Sequence, residues 1–169
     1  MTQLKQVQIQ GLLKDISDNF AAIAPVGADD GLGNLRVARF TFAWDGEDSA
    51  GADNSAAGAH GVGVTIPDAA IVVGGFFETN VVFDSAAHTA TIAIHVNAAN
   101  DIQTAAAVSG APWSTTGRKA ITPKANTPES TSIKLTAARE ITCTVAVQAL
   151  TAGKLIGYLY YVEGLAVGT

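Results

Sequence analysis

The stretch AAREITCTVAVQALTAGKLIGYLYYV, residues 137–162, carries two apolar alternations back to back. In the first, Ile141, Cys143, Val145 and Val147 recur at every second position, the period of a β-strand with one buried face. In the second, Tyr158 and Tyr160 fall on one side while Leu159 and Tyr161 fall on the other. Both faces of that strand are apolar or aromatic, as expected where a strand is buried between the core and a neighbouring subunit. Thr151-Ala152-Gly153 supplies a turn signal between the two runs, so the pair reads as a β-hairpin, preceded by a strand at SIKLTAA, residues 132–138.

Working back toward the N-terminus, the same period recurs. Phe40, Phe42 and Trp44 share one face of a strand, with Val37, Arg39, Thr41 and Ala43 on the other. Residues 63–85 form a long apolar run in which Ile71, Val73, Phe77, Val81 and Phe83 are expected on one face, with a bend or bulge at Gly74-Gly75. TATIAIHV, residues 89–96, alternates Ile92, Ile94 and Val96 against Thr91, Ala93 and His95, and a short strand is expected over 101–108. A loop bearing Pro112, Trp113, Pro123 and Pro128 follows. Residues 45–61, DGEDSAGADNSAAGAHG, are small and acidic with no apolar anchor, the composition of a mobile surface loop that a partner could order.

These signals define an all-β chain: an antiparallel β-sandwich or jelly roll of about seven to eight strands. One domain is expected over 35–166. Residues 1–24 form an N-terminal arm, in which Leu4, Val7, Ile9, Leu12 and Leu13 lead toward one short helix; a first core strand is the competing reading.

Composition narrows the function classes. A chain of 169 residues buries roughly 70% of its unfolded surface in one core. Only 15% of residues are charged against 48% hydrophobic, a balance that suits a surface meeting other protein. The ten Lys and Arg residues are scattered and the net charge is −5, so no basic stripe exists to neutralise phosphates, and nucleic acid is not an expected partner. No apolar run reaches membrane-spanning length, and the first residues lack a charged-then-apolar leader pattern. Cys143 is the single cysteine; it has no intrachain partner, and its alternating neighbours place it in the core of a protein from a reducing compartment.

The search for chemistry finds little. There is no Gly-x-Ser-x-Gly elbow and no activated-cysteine context. His88 and His95 stand seven residues apart, on opposite faces of any unbroken strand, so no shared metal is expected. Asp45, Glu47, Asp48 and Asp53 could offer oxygens to calcium, but their spacing fails the EF-hand pattern and a solvated loop explains them. Glu78 and Glu140, within strands, look solvent-facing and do not form a catalytic carboxylate pair. Gly31-Leu-Gly33 lacks the third glycine and the following helix of a dinucleotide fingerprint. No enzyme activity, cofactor or metal is therefore expected.

The run Gly58-Ala-His-Gly-Val-Gly-Val64, the strand Ala70-Ile-Val-Val-Gly74, TATIAIHV and the 137–162 stretch together resemble small β-rich virion structural proteins of tailed bacteriophages, of the capsid decoration or cement type. The resemblance covers residues 35–162. It implies a non-enzymatic protein, assembled in the host cytoplasm, that binds the outside of an icosahedral head and ties the major capsid protein lattice together, often as a homotrimer. Under that reading, Leu4, Val7, Ile9, Leu12, Leu13, Tyr158 and Tyr160 are the expected capsid or subunit contacts. The alternative is a head-fibre or tail-associated module that recognises a host-surface glycan through Trp113 and the loops.

Overall fold

The computed structural model describes residues 35–46, 53–121, 123 and 132–163. The arm at 1–24, and the helix expected in it, lie outside these residues. Among the described residues there are eight strands: β1 (Leu35–Ala43), β2 (Gly58–Ile66), β3 (Ile71–Ser85), β4 (Thr91–His95), β5 (Gln103–Ala107), β6 (Gly117–Ile121), β7 (Arg139–Ala146) and β8 (Leu150–Val162). They form two four-stranded antiparallel sheets, ordered β1-β8-β3-β6 and β2-β7-β4-β5. The neighbours β1·β8, β2·β7, β3·β6 and β4·β5 are nested, as in one long ribbon doubled back at the β4–β5 turn. Rolling that ribbon sets β8 beside β3 and β7 beside β4, which completes both sheets. This is the eight-stranded jelly roll.

The expected hairpin at 137–162 is not formed. β7 and β8 follow each other in sequence but belong to opposite sheets. The chain turns at Val147, which is 74% exposed with φ +72°, instead of packing it in the core beside Val145. Alternation alone does not mark where a strand leaves one sheet for the other. Gly153 lies within β8, and its smallness serves packing: a Cβ there would sit 2.0 Å from Cδ1 of Phe83.

The core lies between the sheets. Phe40, Phe42, Phe77, Phe83, Leu155 and Leu159 face Ile66, Ile92, Ile94, Ile141, Cys143 and Val145 across it, all at most 2% exposed. Trp113 enters from the β5–β6 connection, fully buried, stacked on Phe77 at 5.1 Å and edge-on to Phe83 at 5.6 Å.

β3 runs fifteen residues beside the thirteen of β8, and its surplus is absorbed in bulges. The first makes Val73 the extra residue between the pairs Val72↔Tyr161 and Gly74↔Tyr160. A bulge at this place was expected, but not its consequence for facing. Val72 and Phe77 point inward, whereas Val73 and Val81 are 53% and 48% exposed, opposite to the strict alternation.

Two stretches read as loops are partly built. β2 begins at Gly58, and buried Asn54 donates from Nδ2 to the Ala43 carbonyl at 3.0 Å, while the Ser55 carbonyl accepts from Leu150 N at 2.7 Å. Residues 47–52 lie outside the described residues. β6 occupies part of the proline-bearing connection, where GRKAI shows no strong alternation. Conversely, SIKLTAA forms no strand of its own: it bridges Lys134 to Ile71, with backbone hydrogen bonds between Ile133 or Leu135 and Ala69, Ala70 and Val72.

The β4–β5 turn is held by Asp101, 4% exposed, whose carboxylate accepts from the amides of Val96, Asn97 and Ala98 at 2.9–3.0 Å. Asp101→Ala leaves these donors without their acceptor and is expected to cost about 2–4 kcal/mol in denaturant titration, with a smaller loss for Asp101→Asn, which keeps one acceptor oxygen. A loss for Asp101→Ala below about 0.5 kcal/mol would show that the turn does not depend on this carboxylate.

Candidate interaction surface

Inward-facing residues of the β1-β8-β3-β6 sheet fix what its outer face presents. Leu155, Gly157 and Leu159 are buried, so Ile156, Tyr158 and Tyr160 stand outward on β8. Their registers place Phe76 opposite Tyr158 and Gly74 opposite Tyr160 on β3. The Phe76 ring stacks on Tyr158 with centroids 4.8 Å apart and meets Tyr160 edge-on at 6.2 Å. From β6 the Arg118 guanidinium lies over Phe76, 4.8 Å from the ring centroid. Tyr158, Phe76 and Arg118 thus form a row across β8, β3 and β6, with the charge at one end. Such a combination of tyrosine, phenylalanine and arginine is what protein interfaces select over ordinary surface.

Of the sequence-predicted contacts, Tyr158 and Tyr160 are therefore brought together on one partly exposed face. Leu4, Val7, Ile9, Leu12 and Leu13 lie outside the described residues. Sequence reading missed Phe76 and Arg118. Phe76 could have been found as the outward neighbour of inward Phe77. Arg118 gave no signal, because its strand was read as loop.

The other chemical candidates do not converge. His60 Nε2 contacts the Ala56 carbonyl at 2.8 Å, His88 Nδ1 lies 2.5 Å from Asp84 Oδ1, and His95 Nδ1 is 3.5 Å from the Thr144 hydroxyl. The hydrogen bond from His88 holds the Asp84 carboxyl below the usual carboxylate range, and that with Ser55 does the same for Asp53. Among the described residues, no three His, Cys, Asp or Glu side chains gather as a metal site would require. Glu78 and Glu140 belong to opposite sheets, and the Glu140 carboxylate accepts from Gly63 N at 2.6 Å, inside the β2 irregularity. A cleft of 170 Å³ is lined by Ala43, Trp44, Asp45, Val81, Gly153 and Lys154, below the ~300–1,000 Å³ typical of small-molecule sites. Trp113, offered to a glycan in the alternative reading, is fully buried and presents no stacking platform.

Cys143 is buried in β7, and loss of solvation pushes its thiol far above the ordinary range. Native protein is expected to show no free thiol to an aromatic disulfide reagent until it is unfolded, when one thiol per chain reacts. Rapid modification of the folded protein would contradict the packing described here.

No family model and no curated protein sequence matches the chain. Solved structures do. A chain in the capsid asymmetric unit of cyanophage Pam1 is 23% identical, covering 76% of this chain and 84% of that one with a TM-score of 0.50. A chain in the capsid of Ralstonia phage GP4 is 19% identical, covering 81% of this chain and 89% of that one with a TM-score of 0.55. A chain in the acid-stable capsid of Helicobacter pylori bacteriophage KHP30 is 12% identical, with 76% and 86% covered and a TM-score of 0.50. At these identities the likeness is one of fold, and it extends over most of both chains in each pair.

Proposed function

We propose that this protein is a non-enzymatic structural component of a phage virion, a decoration or cement protein on the outside of the icosahedral head. The observation that carries this reading is the eight-stranded jelly roll, whose structural neighbours are capsid chains only slightly shorter than this one. The outer aromatic face adds to it. Jelly rolls of this kind present broad, flat sheet faces, and small domains that clamp a lattice act through contact area.

In this reading the chain assembles in the host cytoplasm as a homotrimer and binds the major capsid protein at the particle surface. The arm residues Leu4, Val7, Ile9, Leu12 and Leu13 lie along the lattice or a sister subunit, and Tyr158 and Tyr160 become buried in the assembly. A tyrosine ring supplies a large contact area with few rotatable bonds to order, which makes such positions effective anchors.

The test is reconstitution on undecorated heads with full chain and with a variant lacking residues 1–20. Full chain is expected to saturate the heads and raise their resistance to heat, and the truncated chain to lose most of its occupancy. Full-length protein that leaves purified heads bare would refute the decoration role. Equal occupancy by both forms would remove the arm from it. The glycan-binding alternative predicts instead a specific hit on a glycan array, and the burial of Trp113 speaks against it.

A further inference from the structure

Two polar side-chain atoms lie inside the apolar core with no hydrogen-bond partner among the described residues: the Trp113 indole Nε1 and the Thr79 hydroxyl Oγ1. Both residues are at most 1% exposed. A buried indole N–H ordinarily finds an acceptor, and a polar group withdrawn from solvent with nothing in its place weakens the fold. The two come from different elements, Thr79 from β3 and Trp113 from the β5–β6 connection. The fold nevertheless brings them to one place. Between Phe77 and Phe83, Thr79 is the one buried residue of β3. Those same two rings hold the indole, Phe77 by stacking at 5.1 Å and Phe83 edge-on at 5.6 Å. The indole therefore spans the stretch of strand from which Thr79 points inward.

In the strand registers Thr79 stands opposite Leu155 on β8 and Gly117 on β6, so neither neighbour offers its hydroxyl a polar side chain. A threonine is shorter than the phenylalanines flanking it, and an indole supported on both rings is held above it. Nε1 can only donate, whereas Oγ1 both donates and accepts. A single water satisfies both atoms: its oxygen accepts from the indole N–H, and one of its protons goes to Oγ1. Buried waters in globular proteins occupy such places, bridging two to four polar groups that the chain leaves unpaired. We propose that Trp113 and Thr79 form an internal water-binding site, in which one ordered water joins the β5–β6 connection to the middle of β3. The site belongs to the fold and is independent of the virion role.

Proton NMR of the isotope-labelled full chain tests it. The Trp113 indole signal is identified by its loss in Trp113→Phe, which separates it from that of Trp44, the other tryptophan. Wild type is expected to show a direct dipolar cross-peak between this N–H and water, distinguished from hydrogen exchange by its sign in the rotating frame. Thr79→Val keeps the shape of the side chain without the hydroxyl and should abolish the cross-peak. Thr79→Ser keeps the hydroxyl and should retain it. In denaturant titration the losses from Thr79→Val and Trp113→Phe should be less than additive, because the second substitution removes a group that the first has already left unpaired. Wild type without the cross-peak, a cross-peak that survives Thr79→Val, or an indole proton in contact with the Thr79 hydroxyl itself would each overturn the site. The first of these is read on unmodified protein, so it holds whether or not a variant folds. Strict additivity of the two losses would likewise show that the side chains are not joined.

Discussion

Trp113→Ala should lower the stability of the folded chain by about 3–5 kcal/mol in denaturant titration, the largest loss expected of any single truncation. The indole is fully buried between the sheets, stacked on Phe77 and edge-on to Phe83, so its removal leaves a cavity bounded by two rings anchored on one strand. Because β3 is held between β8 and β6, those rings have little freedom to collapse into the space. The same residue also ties the β5–β6 connection to β3, through its carbonyl and Phe83 N at 3.3 Å. Trp113→Phe should cost distinctly less, since it keeps most of the ring area and the indole Nε1 has no hydrogen bond to another residue to lose. If Trp113→Ala cost under about 1 kcal/mol, Trp113 would not be a core residue.

Gly153→Ala is expected to cost about 3 kcal/mol or more, from two sources acting together. The residue holds φ +134°, a conformation L side chains rarely adopt, and the added methyl would overlap the Phe83 ring at 2.0 Å. Two other glycines separate the sources. Gly117 shares the positive φ, at +97°, but faces open space, so Gly117→Ala measures backbone strain alone and should cost about 1–3 kcal/mol. Gly74 has neither constraint, and Gly74→Ala should be neutral within about 0.5 kcal/mol. Thermal and chemical unfolding of the three variants should rank them in that order, and a neutral Gly153→Ala would contradict the close approach of β8 to Phe83.

The fate of Gly153 shows where sequence reading succeeds and where it stops. Period-two alternation located β1, β4 and β7, set Phe40 with Phe42 and Ile92 with Ile94 on shared faces that are buried, and placed Ile141, Cys143 and Val145 correctly on a core face, though not Val147. The information is local, and so is what it captures. A glycine that admits a neighbouring ring looks the same in sequence as one that turns the chain, and so β8 was cut short at a hairpin that does not exist. Val73 and Val81 are expected on the face of Phe77 and Phe83 but stand on the other, because a bulge displaces facing by one residue without changing composition. Which strands share a sheet depends on pairings between distant segments, and the alternation of β7 and β8 is equally compatible with one sheet or two. For the candidate surface, Tyr158 and Tyr160 were legible because both faces of β8 are apolar. Arg118 was not, because it becomes a site residue only when β6 is laid beside β3.

The nested order of the strands has a consequence in time. Among the described strands, only β4 and β5 are neighbours both in sequence and in a sheet; every other pairing bridges a longer stretch, up to the Arg36–Glu163 ion pair across 127 residues. Closing longer loops costs more entropy before contacts compensate it, so the order favours a nucleus at the β4–β5 turn that grows outward, on the millisecond-to-second scale of non-local β proteins. β7 and β8 each sit inside a sheet, between strands made much earlier. A nascent chain therefore holds β2 without its partner until β7 has left the ribosome and β1 without its partner until β8 has, and the β1-β8-β3-β6 sheet is complete only with the strand that carries Tyr158 and Tyr160.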